Sequence, residues 1–288
     1  MNTERVVEAS EAVALAVKAC RPHVISAYPI SPQTHIVERL AKMVADGELE
    51  SEYVIVESEF SAASVVSGSS AAGSRSYTAS SSQGLLLMTE VLYATASLRL
   101  PFVLTGVNRT ITAPISIMND HQDTISLRDS GVIQFYVESS QEAYDTHIAA
   151  FKVAEDPKIL LPVMVCMDGW VLTHSYERIK PLKQEEVDRF LPPFRPVNFL
   201  DSKAPKTWGC YAEENNNMEF KYSVQDAMQH GKKRIKEIFS ELAAVTGRDH
   251  GGLIEAYRTE DAEVILLGMG SVVGTTKDAV DDLRAEGK

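Results

Sequence analysis

A chain of 288 residues, 44% hydrophobic and carrying a net charge of −12, has material for one large or two ordinary soluble domains. The acidic balance excludes sequence-independent binding to nucleic acid, which draws on basic surface to displace phosphate counterions. The longest apolar run, residues 159–167, holds Pro162 and reads as a buried strand rather than a membrane span, and the opening MNTERVVEAS lacks the apolar core of a signal peptide, which points to the cytoplasm. In chain order, strands are expected at 24–28, 53–56, 76–79, 102–107, 133–137 and 162–167, with helices at 7–20, 34–45, 60–72, 84–98 and 141–153. Strands separated by helices of about 10–15 residues form βαβ units around a mostly parallel sheet. Their apolar rather than alternating composition fits a sheet covered on both faces. From 181 to 217 the pattern dissolves among Pro192, Pro193, Pro196 and Pro205 and ends on Asn215, Asn216 and Asn217, which reads as a long crossing linker. A helix follows at about 223–246, and its basic cluster Lys232, Lys233, Arg234 and Lys236 reads as a solvated face. A second α/β unit then begins with a strand at 264–267, a glycine-rich turn at 268–275 and a helix at 276–284. One βα unit cannot complete a parallel sheet, so this domain is expected to be incomplete.

The most unusual stretch runs from 57 to 88. After Glu59 the next charged residue is Arg75 and the next after that is Glu90, and 17 of the 22 residues from Ser61 to Ser82 are Ala, Ser or Gly. Small residues let backbones approach each other or a ligand closely. Glu59 is thus a lone carboxylate entering a nearly charge-free, closely packed segment, where it needs a dedicated partner; a cofactor ring nitrogen is the expected one. The loop Ala27-Tyr28-Pro29-Ile30-Ser31-Pro32-Gln33-Thr34 leaves the first long strand at its carboxyl end, the edge at which open α/β sheets bind ligands. It offers the Ser31 hydroxyl, although an ordinary strand–helix turn is the plainer alternative. Arg109 follows another strand and projects to the same edge, either as a fork for a substrate carboxylate or as half of a structural ion pair. Asn119-Asp120-His121-Gln122-Asp123 can serve acid–base work or cap the next helix.

Metal chemistry has no such foothold. Cys20, Cys166 and Cys210 lie far apart and read as buried free thiols, and the seven histidines form no HExxH, so zinc or an iron–sulfur cluster on this chain is not expected. The glycines of 268–274 have one residue too many for a dinucleotide fingerprint. Met167-Asp168-Gly169 lacks the first glycine of a thiamine diphosphate GDG motif and stands too far from the asparagine run.

Taken in order, YPISPQT, ESEFSAASVVSGSSAAG, the SSQGLLLM run, NRT and DHQD resemble the α subunit of the 2-oxoacid:ferredoxin (acceptor) oxidoreductases, from about residue 8 to the end. Pyruvate:ferredoxin oxidoreductase is the best-known member. The resemblance implies an α/β fold: a parallel-sheet, thiamine diphosphate pyrimidine-binding domain over 1–185, a linker over 186–222, then a helix and the start of a transketolase C-terminal-like domain over 223–288. It implies thiamine diphosphate shared with a β subunit that supplies Mg2+ and the diphosphate ligands, coenzyme A as a substrate, and 4Fe–4S clusters on partner chains, with no metal held here. Glu59 takes the place of the family glutamate whose bond to the aminopyrimidine ring favours the imino tautomer that deprotonates the thiazolium C2. Tyr28, Pro29, Ser82 and Gln83 fall at cofactor-binding positions. Arg109 joins Glu59 as catalytic and lies near the substrate carboxylate with Ser31 and Asn108. Ser31 stands where the YPITP version has threonine, keeping a hydroxyl and losing a methyl. Asp120, His121 and Asp123 match a motif to which no role is assigned.

The implied reaction is oxidative decarboxylation of a 2-oxoacid, pyruvate by default, to acyl-CoA and CO2, in an enzyme active only when assembled. Electrons would pass through β-, γ- and δ-type subunits to ferredoxin or to an NAD-linked flavin subunit. Phenylglyoxylate and other aromatic, branched-chain or dicarboxylic 2-oxoacids are alternative substrates. A non-oxidative decarboxylase would ordinarily need its own diphosphate motif, and a non-catalytic scaffold subunit is the alternative from another class.

Overall fold

The structure, a computed structural model, describes residues 4–287. The chain enters through β1 (Arg5–Glu8) and passes at once into α1 (Ala9–Cys20), so the helix expected from residue 7 is a strand followed by a helix. There follow β2 (Val24–Ala27), α2 (Thr34–Ala45), β3 (Glu52–Ile55), α3 (Glu59–Ala71), β4 (Ser76–Ser81), α4 (Ser82–Leu87), α5 (Thr89–Ser97) and β5 (Val103–Asn108). The single turn α6 (Gln122–Ile125) precedes β6 (Ile133–Val137), α7 (Ser140–Glu155) and β7 (Val163–Asp168). After β8 (Tyr176–Ile179) come α8 (Gln184–Phe190), α9 (Asn217–Thr246) and α10 (Val272–Ala285).

Six strands form one sheet in the order β3-β2-β4-β5-β7-β6, every neighbouring pair parallel. The α/β parallel-sheet class expected from the sequence is the one observed. Side chains alternate across a strand, and here they feed two cores. Val103, Val107, Val163, Val165 and Met167 pack with α1, α2 and α7, while Leu104, Met164 and Cys166 pack with α3, α4 and α5. β4 is buried at all six positions although it carries Ser76, Thr78, Ser80 and Ser81. Small side chains there, and Ala62, Ala63 and Ser70 on α3, let the helix lie close against the sheet. From β2 the chain steps to β3 on one side and then crosses to β4 on the other, so the carboxyl ends of β2 and β4 flank a topological switch point.

Several expectations need correction. The helix expected at 84–98 starts at Ser82 and is parted at Met88 into α4 and α5. The stretch read as linker from 181 contains α8, whose Val187 and Phe190 are buried one turn apart; flanking prolines mask so short a pattern. α9 begins at Asn217 rather than near 223. The strand expected at 264–267 does not form. Val264, Ile265, Leu266 and Leu267 are 79, 66, 69 and 88% exposed, and no described strand lies beside them to complete a ladder. Cys20 and Cys166 are buried, but Cys210 is exposed.

Candidate active site

β3 delivers the chain to the carboxyl edge of the sheet, where Ser58, in extended conformation, accepts a hydrogen bond from Ser61 N and starts α3. Glu59 is therefore the first residue of a capped helix, and it is only 7% exposed. Among the described residues no group donates a hydrogen bond to its carboxylate. Facing it, in the first turn of α4, is Gly84. A Cβ at this position would stand 2.6 Å from Glu59 Oε1 and 2.4 Å from Ser80 Oγ, so only glycine lets α4 pass. The hydroxyl of Ser80 is buried against this turn without a hydrogen-bond partner, as is that of Ser81 on the opposite face of β4. Buried polar groups are normally paired, so this edge holds bonding capacity that the described residues do not use.

Arg109, one residue past β5, draws three strand ends together. Its Nη1 donates to Ser31 O at 2.6 Å, on the loop after β2, and its Nη2 donates to Gln83 Oε1 at 2.8 Å, at the start of α4. Its Nε is buried without an acceptor, and no carboxylate among the described residues pairs with it. The structural ion pair entertained as an alternative is thus not what this arginine makes. The bonds to carbonyl-type oxygens leave its charge uncompensated. Gln33 pins the β2 loop, its Nε2 donating to Ala79 O at 2.8 Å and its Oε1 accepting from Ile30 N at 3.2 Å. Ser31 engages Arg109 through its carbonyl rather than its hydroxyl, and Tyr28 and Pro29 are exposed at the rim of the same edge. At Gly169, just past β7, a Cβ would come 2.3 Å from Asn108 O and 2.7 Å from Pro32 Cγ, so close backbone approach is built in here as well.

Beneath this edge lies Asp123, fully buried on α6. Its Oδ1 accepts from Asn108 Nδ2 and Thr124 N, both at 2.9 Å, and its Oδ2 accepts from Ser82 N at 2.9 Å and Arg109 N at 3.1 Å. Burial pushes its carboxyl above the ordinary aspartate value, and the four donors only partly offset that. Ser82, at φ 49°, also donates from Oγ to Thr110 O at 2.8 Å. The other members of the polar cluster go elsewhere. Asp120 Oδ1 accepts from Gln122 N at 2.9 Å and caps the turn. His121 Nε2 lies 2.9 Å from Asp168 Oδ1, and this bond raises the imidazole above its usual pKa. Burial alone would raise Asp168, but bonds from His121 and from the hydroxyl and N–H of Ser271 outweigh it and hold the carboxyl low. Those Ser271 bonds, 2.6 Å from Oγ and 2.8 Å from N, fasten the start of α10 to the end of β7, and Gly270 makes room for them at φ 77°.

The residues singled out from the sequence thus collect at one edge: Glu59, Ser82, Gln83, Asn108 and Arg109 inside it, Tyr28, Pro29 and Ser31 around it. Sequence reasoning missed Gly84, the idle serine hydroxyls and Asp168. A glycine opening a leucine-rich helix was the available signal for the first, and nothing local marked the others.

Comparison with known proteins bears on what this edge binds. A profile for the family described as pyruvate flavodoxin/ferredoxin oxidoreductase, thiamine diphosphate-binding, matches residues 15–240. The pyruvate synthase subunit PorA of Methanosarcina barkeri is 53% identical over 284 residues, covering 98% of this chain and 71% of that protein. That of Methanothermobacter thermautotrophicus is 50% identical over 284 residues, covering 99% and 74%. The ketoisovalerate oxidoreductase subunit VorA of Pyrococcus horikoshii is 43% identical over 285 residues, covering 99% and 72%. Among solved structures, the 2-oxoglutarate:ferredoxin oxidoreductase from Magnetococcus marinus, with 2-oxoglutarate, coenzyme A and succinyl-CoA bound, matches with a TM-score of 0.71 at 19% identity, a likeness of fold. That match covers 99% of this chain and 52% of the solved one, so this chain spans about half its length.

Proposed function

The chain belongs to the thiamine diphosphate-binding family of pyruvate flavodoxin/ferredoxin oxidoreductases, and on that footing we propose that it is the α subunit of a multi-subunit enzyme that oxidatively decarboxylates pyruvate to an acyl-CoA and CO2. The observation that carries this reading is Glu59, a buried carboxylate at the carboxyl edge of the sheet with no donor among the described residues, packed where only a glycine, Gly84, fits against it. A carboxylate so placed fits the aminopyrimidine of thiamine diphosphate, a flat ring whose nitrogens match it in chemistry. The idle Ser80 hydroxyl beside it adds further bonding capacity. When bound, the cofactor supplies a carbon nucleophile and an electron sink for decarboxylation.

The chain's own residues do the rest. Glu59 accepts a hydrogen bond at the ring and sets which ring nitrogen carries the proton. Arg109, held by Gln83 and Ser31 and without a carboxylate partner, orients the 2-oxoacid by its carboxylate. Tyr28, Pro29 and Ser82 border the cofactor, and Asn108 and Ser31 the substrate. No group of described His, Cys, Asp and Glu residues has the makings of a metal site, and we assign Mg2+ and the diphosphate to a β-type subunit. Likewise we assign the 4Fe–4S clusters to partner chains of β, γ and δ type, coenzyme A to the role of second substrate, and ferredoxin to that of acceptor. An NAD-linked flavin subunit is the second acceptor reading. Pyruvate is preferred over a branched-chain acid because the relatives named for pyruvate reach 53% identity and that named for ketoisovalerate 43%. No described helix is long and apolar enough to cross a membrane.

The test is 2-oxoacid- and CoA-dependent reduction of a viologen dye by the complex purified through this subunit, with pyruvate, phenylglyoxylate, 2-oxoglutarate, 2-oxoisovalerate and oxalate compared. Pyruvate is expected to be the best substrate. Glu59→Gln is expected to lower kcat by about 100-fold or more with the clusters intact. An unchanged rate in that variant would mean a scaffold subunit, and no turnover of any acid by the cofactor-loaded wild type would remove the oxidoreductase reading.

A further inference from the structure

The site residues are gripped from below by one carboxylate. Asp123 is fully buried and forms no ion pair among the described residues; all four bonds to its carboxylate come from neutral donors. A buried carboxyl group needs its oxygens satisfied, and here the donors come from two strand ends as well as from its own helix turn. Two of the four donors are the backbone N–H groups of Ser82 and Arg109. These flank the side-chain bond from Arg109 Nη2 to Gln83 Oε1. A third donor is Asn108, whose Oδ1 is buried and idle, as is Arg109 Nε. One carboxylate therefore bridges the first residues past the ends of β4 and β5, the two strands that carry the unspent polar groups.

We infer that Asp123 is a positioning residue of this active site, acting through the backbone of Ser82 and Arg109 to fix the Gln83–Arg109 pair in the geometry that receives the 2-oxoacid carboxylate; this rests on the reading of Arg109 given above. A residue of this kind touches no substrate. Its loss shows as substrate misplacement, and that loss disappears once Arg109 itself is gone.

The experiment is a double-mutant cycle in the assembled enzyme with Asp123→Ala, Arg109→Ala and both together, reading KM for pyruvate, KM for coenzyme A and kcat. Asp123→Ala is expected to raise KM for pyruvate about tenfold or more and to leave KM for coenzyme A within about twofold. Added to Arg109→Ala, it should cost less than about twofold further. Asp123→Asn should recover most of the loss. Its amide oxygen can still accept from Ser82 N and Arg109 N, and the Asn108 amide can turn its idle oxygen toward the new NH2, so that only the Thr124 N–H loses its acceptor. Additive losses in the double variant, or KM values for both substrates rising together, would overturn the inference on Asp123. An unaltered pyruvate KM in Arg109→Ala alone would instead overturn the underlying reading of Arg109. Should Asp123→Ala fail to assemble, the cycle runs with Asp123→Glu, which keeps the charge and displaces the four donors, and the same outcomes decide.

Discussion

Glu59 and Gly84 are 25 positions apart and meet as one device: the carboxylate has no donor among the described residues, and the glycine, lacking a Cβ, lets that side chain lie directly against α4. Gly84→Ala tests the second half of that statement. Its Cβ cannot stay 2.6 Å from Oε1, so either the glutamate rotates away or α4 moves. We expect kcat/KM to fall by about 10- to 100-fold and thiamine diphosphate affinity, measured by calorimetry on the complex, to weaken. Stability should drop by only about 1–3 kcal/mol, the usual scale for overpacking. Glu59 was legible in the sequence because its surroundings are emptied of charge, a property visible without any contact map. Arg109 was legible because an arginine ending a buried strand must emerge at the ligand edge. Gly84 and Asp123 were not: the meaning of each lies in atoms contributed by another strand end, and no local pattern encodes which donors a buried carboxylate will find.

The same division holds among the elements. The six sheet strands were readable to within a residue or two: β2, β4, β5 and β7 are buried on both faces and their composition shows it, and the more exposed edge strands β3 and β6 are still mostly apolar. β1 and β8 were not, since each is four residues long, partly exposed, and paired only with a partner some 170 positions away. α10 was readable as a helix, but its anchor was not. That anchor is Asp168, rejected as part of a cofactor motif and found instead capping Ser271 and holding His121. The linkage has a definite sign. The raised pKa of His121 means that its bond contributes fully below the unfolded value of about 6.5 and is lost as pH climbs through the higher folded value. The lowered pKa of Asp168 means that its contribution is present above about 3.9 and is lost as pH falls through the still lower folded value. Protection from hydrogen exchange in the first turn of α10, taken relative to the intrinsic rate at each pH, should therefore be greatest between these limits. His121→Ala should abolish the alkaline loss of protection, while Asp168→Ala should lower protection there across the whole window. A first turn whose exchange is unaltered by Asp168→Ala would show that Lys277, paired with Glu138 and Glu255, carries the docking alone.

Across the whole molecule the two edges of the sheet are specialised. The carboxyl edge carries idle polar groups such as Ser80 Oγ, Asn108 Oδ1 and Arg109 Nε; among the described residues the amino edge is fully bonded at its buried arginine. There Arg75, 5% exposed, donates through Nε and Nη2 to both oxygens of Glu155 and also reaches Cys20 O and Pro192 O, tying α1, α7 and the segment after α8 to the start of β4. Arg75→Met strands Glu155, whose carboxyl burial already pushes upward. It should cost about 3–5 kcal/mol in chemical denaturation and leave pyruvate KM unchanged in complexes that assemble, the reverse of what Asp123→Ala should do. One exposed feature belongs to neither edge. Between Glu263 and Gly268 four aliphatic residues stand in solvent, and no backbone hydrogen bond engages them among the described residues. A short uncharged run of this kind, free of proline and with open N–H and C=O groups, is a template on which a second copy of the same run can add. An aliphatic run left open in this way gains most from a neighbouring strand, because pairing would bury its side chains and satisfy its backbone in one step.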